Sequence, residues 1–310
     1  MNENKAIELK QENILSEKKS NLSLRHATQK FFFSILWIGG IITILILLAV
    51  TGYVIFEGFK EINWEFLTTQ PRGGLSGEGG ISTTIVTTIY LVLLTIAIAT
   101  PLGVGAAIFL TEYAGDTSIQ SKFLKGLITF AHFGVETLAG IPSIIFGLFG
   151  YALFVAMLKF GFSLLSASLA GACLVLPTII RTTEEALLTV PDSYRQGSLA
   201  LGATKWQTIR KVILPASLPG IITGIILSVG RVVSETAVFF VTLGGSYRMP
   251  TSIMSSGRTM ALHLYYLAMD TRAFEKAMAT GAILIITIVL INLAINLLSR
   301  RLTAGLRGNR

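Results

Sequence analysis

Six long stretches of apolar residues restrict what this chain can fold into more than any other feature of its sequence. They cover residues 31–56, 81–110, 127–158, 163–180, 217–243 and 277–298. Each is at least as long as the roughly 18 residues that suggest a helix crossing a bilayer. Gly140 and Pro142 interrupt the third stretch, and the fourth is expected to end near Pro177. Because backbone groups in lipid must be hydrogen-bonded within the protein, the pattern predicts an all-α integral membrane protein with about six transmembrane helices.

The composition excludes several other classes. The chain is 52% hydrophobic and only 14% charged, whereas soluble domains carry about a quarter charged residues. Its net charge of +8 comes without an RNA-binding motif, a zinc pair or a dense basic stripe, so no nucleic-acid partner is expected. The single cysteine, Cys173, excludes an intrachain disulfide, and the three histidines lack ligand spacing, so no metal site is expected.

The distribution of basic residues predicts the orientation in the membrane. Of the 25 Lys and Arg residues, 17 lie in segments 1–30, 111–126, 181–211 and 299–310, and 7 lie in the alternate segments. Basic loops stay in the cytoplasm, so both termini are expected there. We therefore divide the chain into a polar, mobile cytoplasmic extension (1–30), a transmembrane domain (31–300) and a basic cytoplasmic tail (301–310).

The polar segment at residues 181–215, called the coupling loop below, carries helix caps and stops. The expected caps are Asp192 or Ser193, Gly202, Thr204 and Gln207. They predict one short helix that ends at the glycine and a second that must stop before Pro215. From these residues alone, a surface connector and a docking element are equally open interpretations.

The coupling loop resembles the EAA loop of ABC importer permeases, which reads E-A-A, three residues, Gly, nine residues and I-x-L-P. The matching positions are Gln196, Gly197 and Ser198, then Gly202, Val212, Leu214 and Pro215. The resemblance implies that the first helix docks into a groove on a separate ATPase subunit and transmits its closure to the spans. Gln196 replaces the glutamate of the pattern, so no salt bridge to the ATPase is expected from that position.

Further segments are similar to the PstA family of phosphate permeases. They are residues 138–147, 176–188, 201–209 and 229–236, with weaker similarity at 79–81 and 261–267 that favours PstA over its sister family PstC. The resemblance covers about residues 31–300. It implies a type I ABC importer permease with MetI-like architecture that translocates inorganic phosphate across the bacterial inner membrane. Ser234 and Val238 replace an expected glycine and proline, which leaves another oxyanion, such as sulfate or molybdate, as the alternative.

The same resemblance implies a set of partners. The chain itself is expected to be no enzyme and to bind no cofactor, because it has no Walker A lysine and ATP is used by the partner ATPase. The implied partners are a PstC-like permease subunit, a PstB-like ATPase dimer, a PstS-like extracytoplasmic phosphate-binding protein and the lipid bilayer.

Charged residues inside the spans are the candidates for a substrate pathway. Arg231 and Glu235 are four apart, which predicts one helical face near the middle of the fifth span. A charge at the bilayer centre costs ~2.5–3.5 kcal/mol, so idle charges there are rare. The pair either locks helices together or offers Arg231 to a passing anion while Glu235 tunes how tightly it is held. Arg181 either anchors the fourth span or binds the oxyanion with its planar fork of donors.

Two other function classes find less support. An intramembrane aspartyl enzyme is excluded because Asp116, Asp192 and Asp270 all fall in loops, and no Ser–Lys or Ser–His pairing is evident within the spans. A passive channel or scaffold would leave the capped helices of the coupling loop without a purpose.

Overall fold

The computed structural model describes residues 3–72, 77–114, 122–271 and 273–307, which hold helices and turns but no β-strand. The helices are α1 (Glu3–Phe59), α2 (Trp64–Thr68), α3 (Ser82–Ile108), α4 (Lys122–Ala139), α5 (Ser143–Gly150), α6 (Leu164–Leu188), α7 (Asp192–Ala200), α8 (Lys205–Thr208), α9 (Leu214–Ser234), α10 (Ala237–Thr242), α11 (Met260–Met269) and α12 (Phe274–Arg307). Three π-helical turns, Phe109–Tyr113, Tyr151–Met157 and Ile209–Ile213, follow α3, α5 and α8. The chain divides into two compact units, residues 1–56 and 57–310.

The first unit is helical throughout its described part. Helix α1 begins at Glu3 and passes residue 30 without a break, so residues 3–30 of the predicted extension are helical. That segment contains no Gly or Pro and many Lys, Glu and Leu residues, which propagate a helix well. From residue 31 to 50 the apolar side chains are exposed, as suits a helix surrounded by lipid.

The predicted spans are confirmed in number and adjusted in their bounds. Among the described residues, five helical segments are long and apolar enough to cross a membrane: Thr28–Phe59, Ser82–Tyr113, Leu164–Leu188, Lys205–Ser234 and Phe274–Leu297. A sixth candidate is the pair Ile128–Ala139 and Ser143–Met157, which is bent by 110°. The bend lies at the expected interruption, where Pro142 caps the start of α5 and has no N–H to continue the preceding helix.

Helix α6 is the centre of the second unit, where it packs against α3 and α9. Small residues allow the close approach. A Cβ atom added to Gly220 would meet Ala186, one added to Gly224 would collide with Thr182, and one added to Gly103 would collide with Ile179. Gly220 and Gly224, four residues apart on the fifth span, therefore form a helix contact, which small residues at this spacing favour.

Two predicted helix ends are wrong because prolines that were expected to stop a helix lie inside one. Helix α6 passes Pro177 and continues to Leu188, held by its packing on two neighbouring helices. The second short helix of the coupling loop does not stop before Pro215 either. It runs through the π-helical turn Ile209–Ile213 into α9 as one helical segment. There the Leu214 N–H bonds to Ile209 O, a wider turn that accommodates the following proline ring.

Candidate functional site

The first short helix of the coupling loop, α7, ends in the way its sequence predicts. Gly202 has a φ of +83°; its N–H bonds to Leu199 O at 2.9 Å, and the Ala203 N–H bonds to Ser198 O at 3.2 Å. These two bonds form a Schellman motif, which favours glycine because of the positive φ. The start is displaced by one residue from the prediction. Pro191 is the cap and Asp192 is already helical, where its carboxylate suits the positive end of the helix.

The second short helix, α8, carries the predicted capping box. The Gln207 N–H donates to Thr204 Oγ1 at 3.3 Å, and the Thr204 N–H donates to Gln207 Oε1 at 2.9 Å. From Lys205 to Ser234 the chain then forms a continuous segment of 30 residues. The coupling loop is therefore joined to the fifth span without a flexible connection.

The residues at the E-A-A positions do not all point the same way. Gln196 and Gly197 are exposed, whereas the Ser198 hydroxyl lies 2.9 Å from Thr208 Oγ1 and ties α7 to α8. Leu214 and Pro215 are half-buried at the start of α9. The loop also exposes large apolar side chains, namely Tyr194, Leu199, Trp206 and Leu201, the last of which is 90% exposed. Grouped apolar residues of this kind on a polar segment mark a protein contact.

An ion pair that the sequence analysis missed connects this loop to α3. Arg195 Nη2 lies 2.7 Å from Glu112 Oε1, and the two side chains are only 20% and 8% exposed. Arg195 Nε contacts both carboxylate oxygens, at 3.2 and 3.3 Å. The hydrogen bond to Glu112 raises the pKa of Arg195. Both residues lie in segments predicted to be cytoplasmic, but nothing local in the sequence pairs positions 83 apart.

A second contact joins the same end of α3 to α8. Lys205 Nζ lies 5.0 Å from the centre of the Tyr113 ring, within the range of a cation–π interaction. Tyr113 in turn stacks on Phe109, with ring centres 6.5 Å apart and planes at 16°. Both short helices of the coupling loop therefore touch the π-helical turn that ends α3.

The structure corrects the predicted geometry of Arg231 and Glu235. Helix α9 ends at Ser234, and Glu235 has extended backbone angles, φ −74° and ψ 131°. The two side chains therefore do not share a helical face, and Glu235 Oε1 instead accepts the Val238 N–H at the start of α10, at 3.3 Å. Arg231 is exposed and makes no ion pair with any residue in the described part of the chain.

Arg181 lies within α6 and not at the start of a loop. Its Nη2 is 3.6 Å from Glu136 Oε1 on α4, and its side chain is 53% exposed. The contacts between α6 and α9 place Thr182 beside Gly224 and Ala186 beside Gly220, which sets Arg231 level with Val175. Arg181 and Arg231 are therefore about 9 Å apart along the helix direction, at 1.5 Å per residue.

A second contact between polar side chains joins α4 to α6. His132 Nδ1 lies 3.8 Å from Glu184 Oε1, one turn from the pair of Glu136 and Arg181. Neither Glu136 nor Glu184 is among the site residues that the sequence analysis predicts. The spacing of four residues between His132 and Glu136 on a helix was the available signal.

The loop between α10 and α11 holds another arginine without a carboxylate contact among the described residues. Arg258 Nε donates to Gly245 O at 2.9 Å, and its guanidinium stacks on Tyr266 at 4.2 Å. Its Nη1 lies 3.5 Å from His263 Nδ1. Burial, together with the nearby charges of Arg258 and Lys276, lowers the pKa of His263 to about 3.

Known proteins resemble this chain over most of its length. Residues 127–308 match the family described as binding-protein-dependent transport system inner membrane component. The probable ABC transporter permease YqgI of Bacillus subtilis (strain 168) is 30% identical over 92% of this chain and 99% of its own. The phosphate transport system permease PstA of Mycobacterium leprae (strain TN) is 32% identical over 98% of this chain and 97% of its own. A crystal structure of a bacterial ABC transporter involved in alginate import aligns with a TM-score of 0.65 and 18% identity, over 89% of this chain and 97% of that one.

Proposed function

Since the chain belongs to the family of binding-protein-dependent transport system inner membrane components, we propose that it is the PstA-type permease subunit of an ATP-driven importer and carries inorganic phosphate across the cell membrane. Members of this family are membrane permeases and not themselves enzymes. The relatives that are named phosphate permeases support phosphate as the substrate, and they match nearly the full chain.

The exposed and unpaired state of Arg231 is the observation that carries the proposal. A guanidinium on a membrane-spanning helix is costly without a partner, and Arg231 has none among the described residues. A passing phosphate supplies the missing negative charge and takes two parallel hydrogen bonds from the planar fork. Such binding is transient, as a pathway requires.

The second arginine of the pathway is held differently. Arg181 contacts Glu136 at a long 3.6 Å, and both side chains are more than half exposed. An anion can therefore compete for Arg181 while Glu136 limits how tightly it is held. We place Arg231 and Arg181 as two successive contacts, whereas the Glu235 carboxylate accepts the Val238 N–H in the first turn of α10.

Energy enters at the coupling loop. Helix α7 presents Gln196, Gly197 and the exposed apolar side chains of Tyr194 and Leu199, which suit docking into a groove of an ATPase subunit. The partners in this proposal are a PstB-like ATPase dimer, a PstC-like permease subunit and a PstS-like extracytoplasmic binding protein. ATP is bound and hydrolysed by the ATPase, and this chain holds no cofactor.

The proposed orientation, with both termini in the cytoplasm of a bacterial cell, is tested by labelling. Glu78 and Arg248 are exposed and lie on the outer side of the proposed topology, and Ser193 is exposed on α7. In a Cys173→Ala background, Glu78→Cys and Arg248→Cys should react with an impermeant maleimide in intact cells. Ser193→Cys should react only after lysis. Reaction at position 193 in intact cells contradicts the orientation.

The substrate is tested by uptake of radiolabelled phosphate into vesicles that contain all four kinds of subunit. We expect uptake that requires ATP and the binding protein, and that unlabelled phosphate suppresses while sulfate and molybdate do not. Suppression by sulfate or molybdate at equal concentration would assign the chain to that oxyanion instead.

A further inference from the structure

Arg195 is the most completely satisfied charged side chain in the coupling loop. Besides Glu112, its Nη1 donates to Val190 O at 2.9 Å and to Asp192 Oδ1 at 3.2 Å. Its Nη2 donates to Leu187 O at 2.9 Å. One guanidinium therefore bonds to the end of α3, to the last turn of α6 and the residues after it, and to its own helix α7.

The chemistry of these contacts requires an arginine. The guanidinium donates from three separate nitrogens to six contacts, whereas a lysine has three donors on a single nitrogen and cannot replace them all. The carbonyls of Leu187 and Val190 lie at the carboxyl end of α6, where a cation is favoured by the helix dipole. Glu112 is 8% exposed, and a carboxylate buried to this degree is strongly destabilised without its partner.

The contacts join elements that the chain connects only at a distance. The route from α7 through α8 into α9 is continuous helix after Lys205. Helix α3 has no such covalent route, since it precedes α7 by about eighty residues of chain. Its end contacts the coupling loop in two ways. Ala107 and Leu110 belong to a buried apolar cluster with Leu187, Val190 and Ile213. Its polar and ring contacts reach the two short helices, Glu112 with Arg195 on α7 and Tyr113 with Lys205 on α8.

We infer that Arg195, held by Glu112, is a positioning residue that makes α7 and the end of α3 move as one body, so that motion of the docked ATPase reaches α3 as well as α9. This inference rests on the proposed function, because it assumes an ATPase on α7. Arg195 itself touches neither the substrate nor ATP. Its loss separates ATP hydrolysis from transport and leaves docking intact, since Gln196, Gly197 and the apolar face of α7 stay in place.

A double-mutant cycle distinguishes this role from a general contribution to folding. Arg195→Gln, Glu112→Gln and the double variant are assembled with the partner subunits, and phosphate uptake is divided by ATP hydrolysed. We expect each single variant to lower this ratio by about tenfold, the upper range for residues that carry coupling between sites. The double variant should be no worse than the singles, because both act through one contact.

The control variants set the scale of the experiment. Lys125→Gln removes one exposed positive charge from α4 and should leave the ratio unchanged. Arg195→Lys keeps the charge and protects assembly, and it should give an intermediate ratio because the carbonyl contacts are lost. A wild-type ratio in Arg195→Gln or Arg195→Lys, or losses that multiply in the double variant, would overturn the inference.

A spectroscopic test does not depend on phosphate. Spin labels at Ser193 on α7 and Leu102 on α3, both exposed, report the distance between the two helices in a Cys173→Ala complex. The distance should be the same in the nucleotide-free and ATP-bound complex, and it should change between these states once Arg195 is glutamine. A distance that changes with ATP in the otherwise unaltered chain contradicts the inference. Failure of phosphate uptake alone contradicts the proposed function and leaves this result standing.

Discussion

Arg195 and Arg231 differ in their exposure to solvent and in their ion pairs. Arg195, in the coupling loop, is 20% exposed and bonds to Glu112 at 2.7 Å. Arg231, on α9, is exposed and has no ion pair among the described residues. All three guanidinium nitrogens of Arg195 donate hydrogen bonds, whereas those of Arg231 form no ion pair among the described residues.

This difference fits two roles: a structural one for Arg195 and the proposed contact with the substrate for Arg231. A buried pair costs much to break, because one charge is then left without compensation; it therefore fixes the position of the elements it joins. A free cation on a membrane-spanning helix contributes nothing to holding the fold. It is retained at a cost, which makes a functional role the default interpretation. The predictions below test the two roles against each other.

The largest expected effect is on transport at Arg231. Arg231→Gln and Arg231→Gln/Glu235→Gln should both abolish phosphate uptake, because charged hydrogen bonds of about 1.5–3 kcal/mol each are lost. Glu235→Gln alone should keep most of it, since an amide oxygen can still accept the Val238 N–H that Glu235 accepts now. Uptake by vesicles with equal amounts of each variant is the measurement.

The matched control for this prediction is Arg231→Lys, which keeps the charge and loses the fork; we expect partial uptake at best. Recovery of uptake in the double variant would show that Arg231 serves only to neutralise Glu235. Arg231 would then have no role in substrate binding, and the proposed difference between the two arginines would be wrong.

The next effect concerns the geometry of the coupling loop at Gly202. An added Cβ there meets nothing within 4 Å, but φ is +83°, so strain is the only penalty. This backbone strain should destabilise Gly202→Val by about 1–3 kcal/mol, because valine is forced into the positive-φ region. We expect Gly202→Val to lose ATPase binding or uptake, and Gly202→Asn to keep most of both, because asparagine tolerates positive φ. Full uptake by the valine variant would reduce the loop to a connector.

A smaller effect is expected for packing within α9. Gly224→Ala pushes a methyl group into Thr182 of α6, whereas a Cβ at Gly230 of the same helix meets nothing within 4 Å. Overpacking costs about 1–3 kcal/mol, so Gly224→Ala should lower the thermal unfolding temperature in detergent. Gly230→Ala should leave it equal or raise it, by the helix propensity of alanine. Equal behaviour of the two variants would contradict the close contact between α6 and α9.

The smallest effect is expected at His263, beside the third arginine, Arg258. With a pKa lowered to about 3 by burial and nearby cations, His263 is uncharged near neutral pH. His263→Gln should therefore leave the shape of the pH profile of uptake unchanged between about pH 6 and 8, where an ordinary histidine titrates. A shift of that profile would show that His263 gains a proton during transport.

The sequence by itself determined the membrane class, the approximate number of spans, the glycine end of α7 and the capping box of α8. Apolar length, Gly202 and the pair Thr204 and Gln207 act within one or two helical turns, so their effect can be read locally. The spacing of Gly220 and Gly224 also indicates a helix contact, but it does not show which helix they contact.

Only the tertiary structure decided where helices end at proline and which charges meet. Pro177 and Pro215 lie inside helices because packing and a π-helical turn compensate for their missing N–H. Glu235 leaves the helix of Arg231, although a spacing of four residues favoured one face. Arg195 pairs with Glu112, and Arg181 pairs with Glu136, although the partners are far apart in the sequence. An ion pair depends on the position of two folded elements, and no local pattern carries that information.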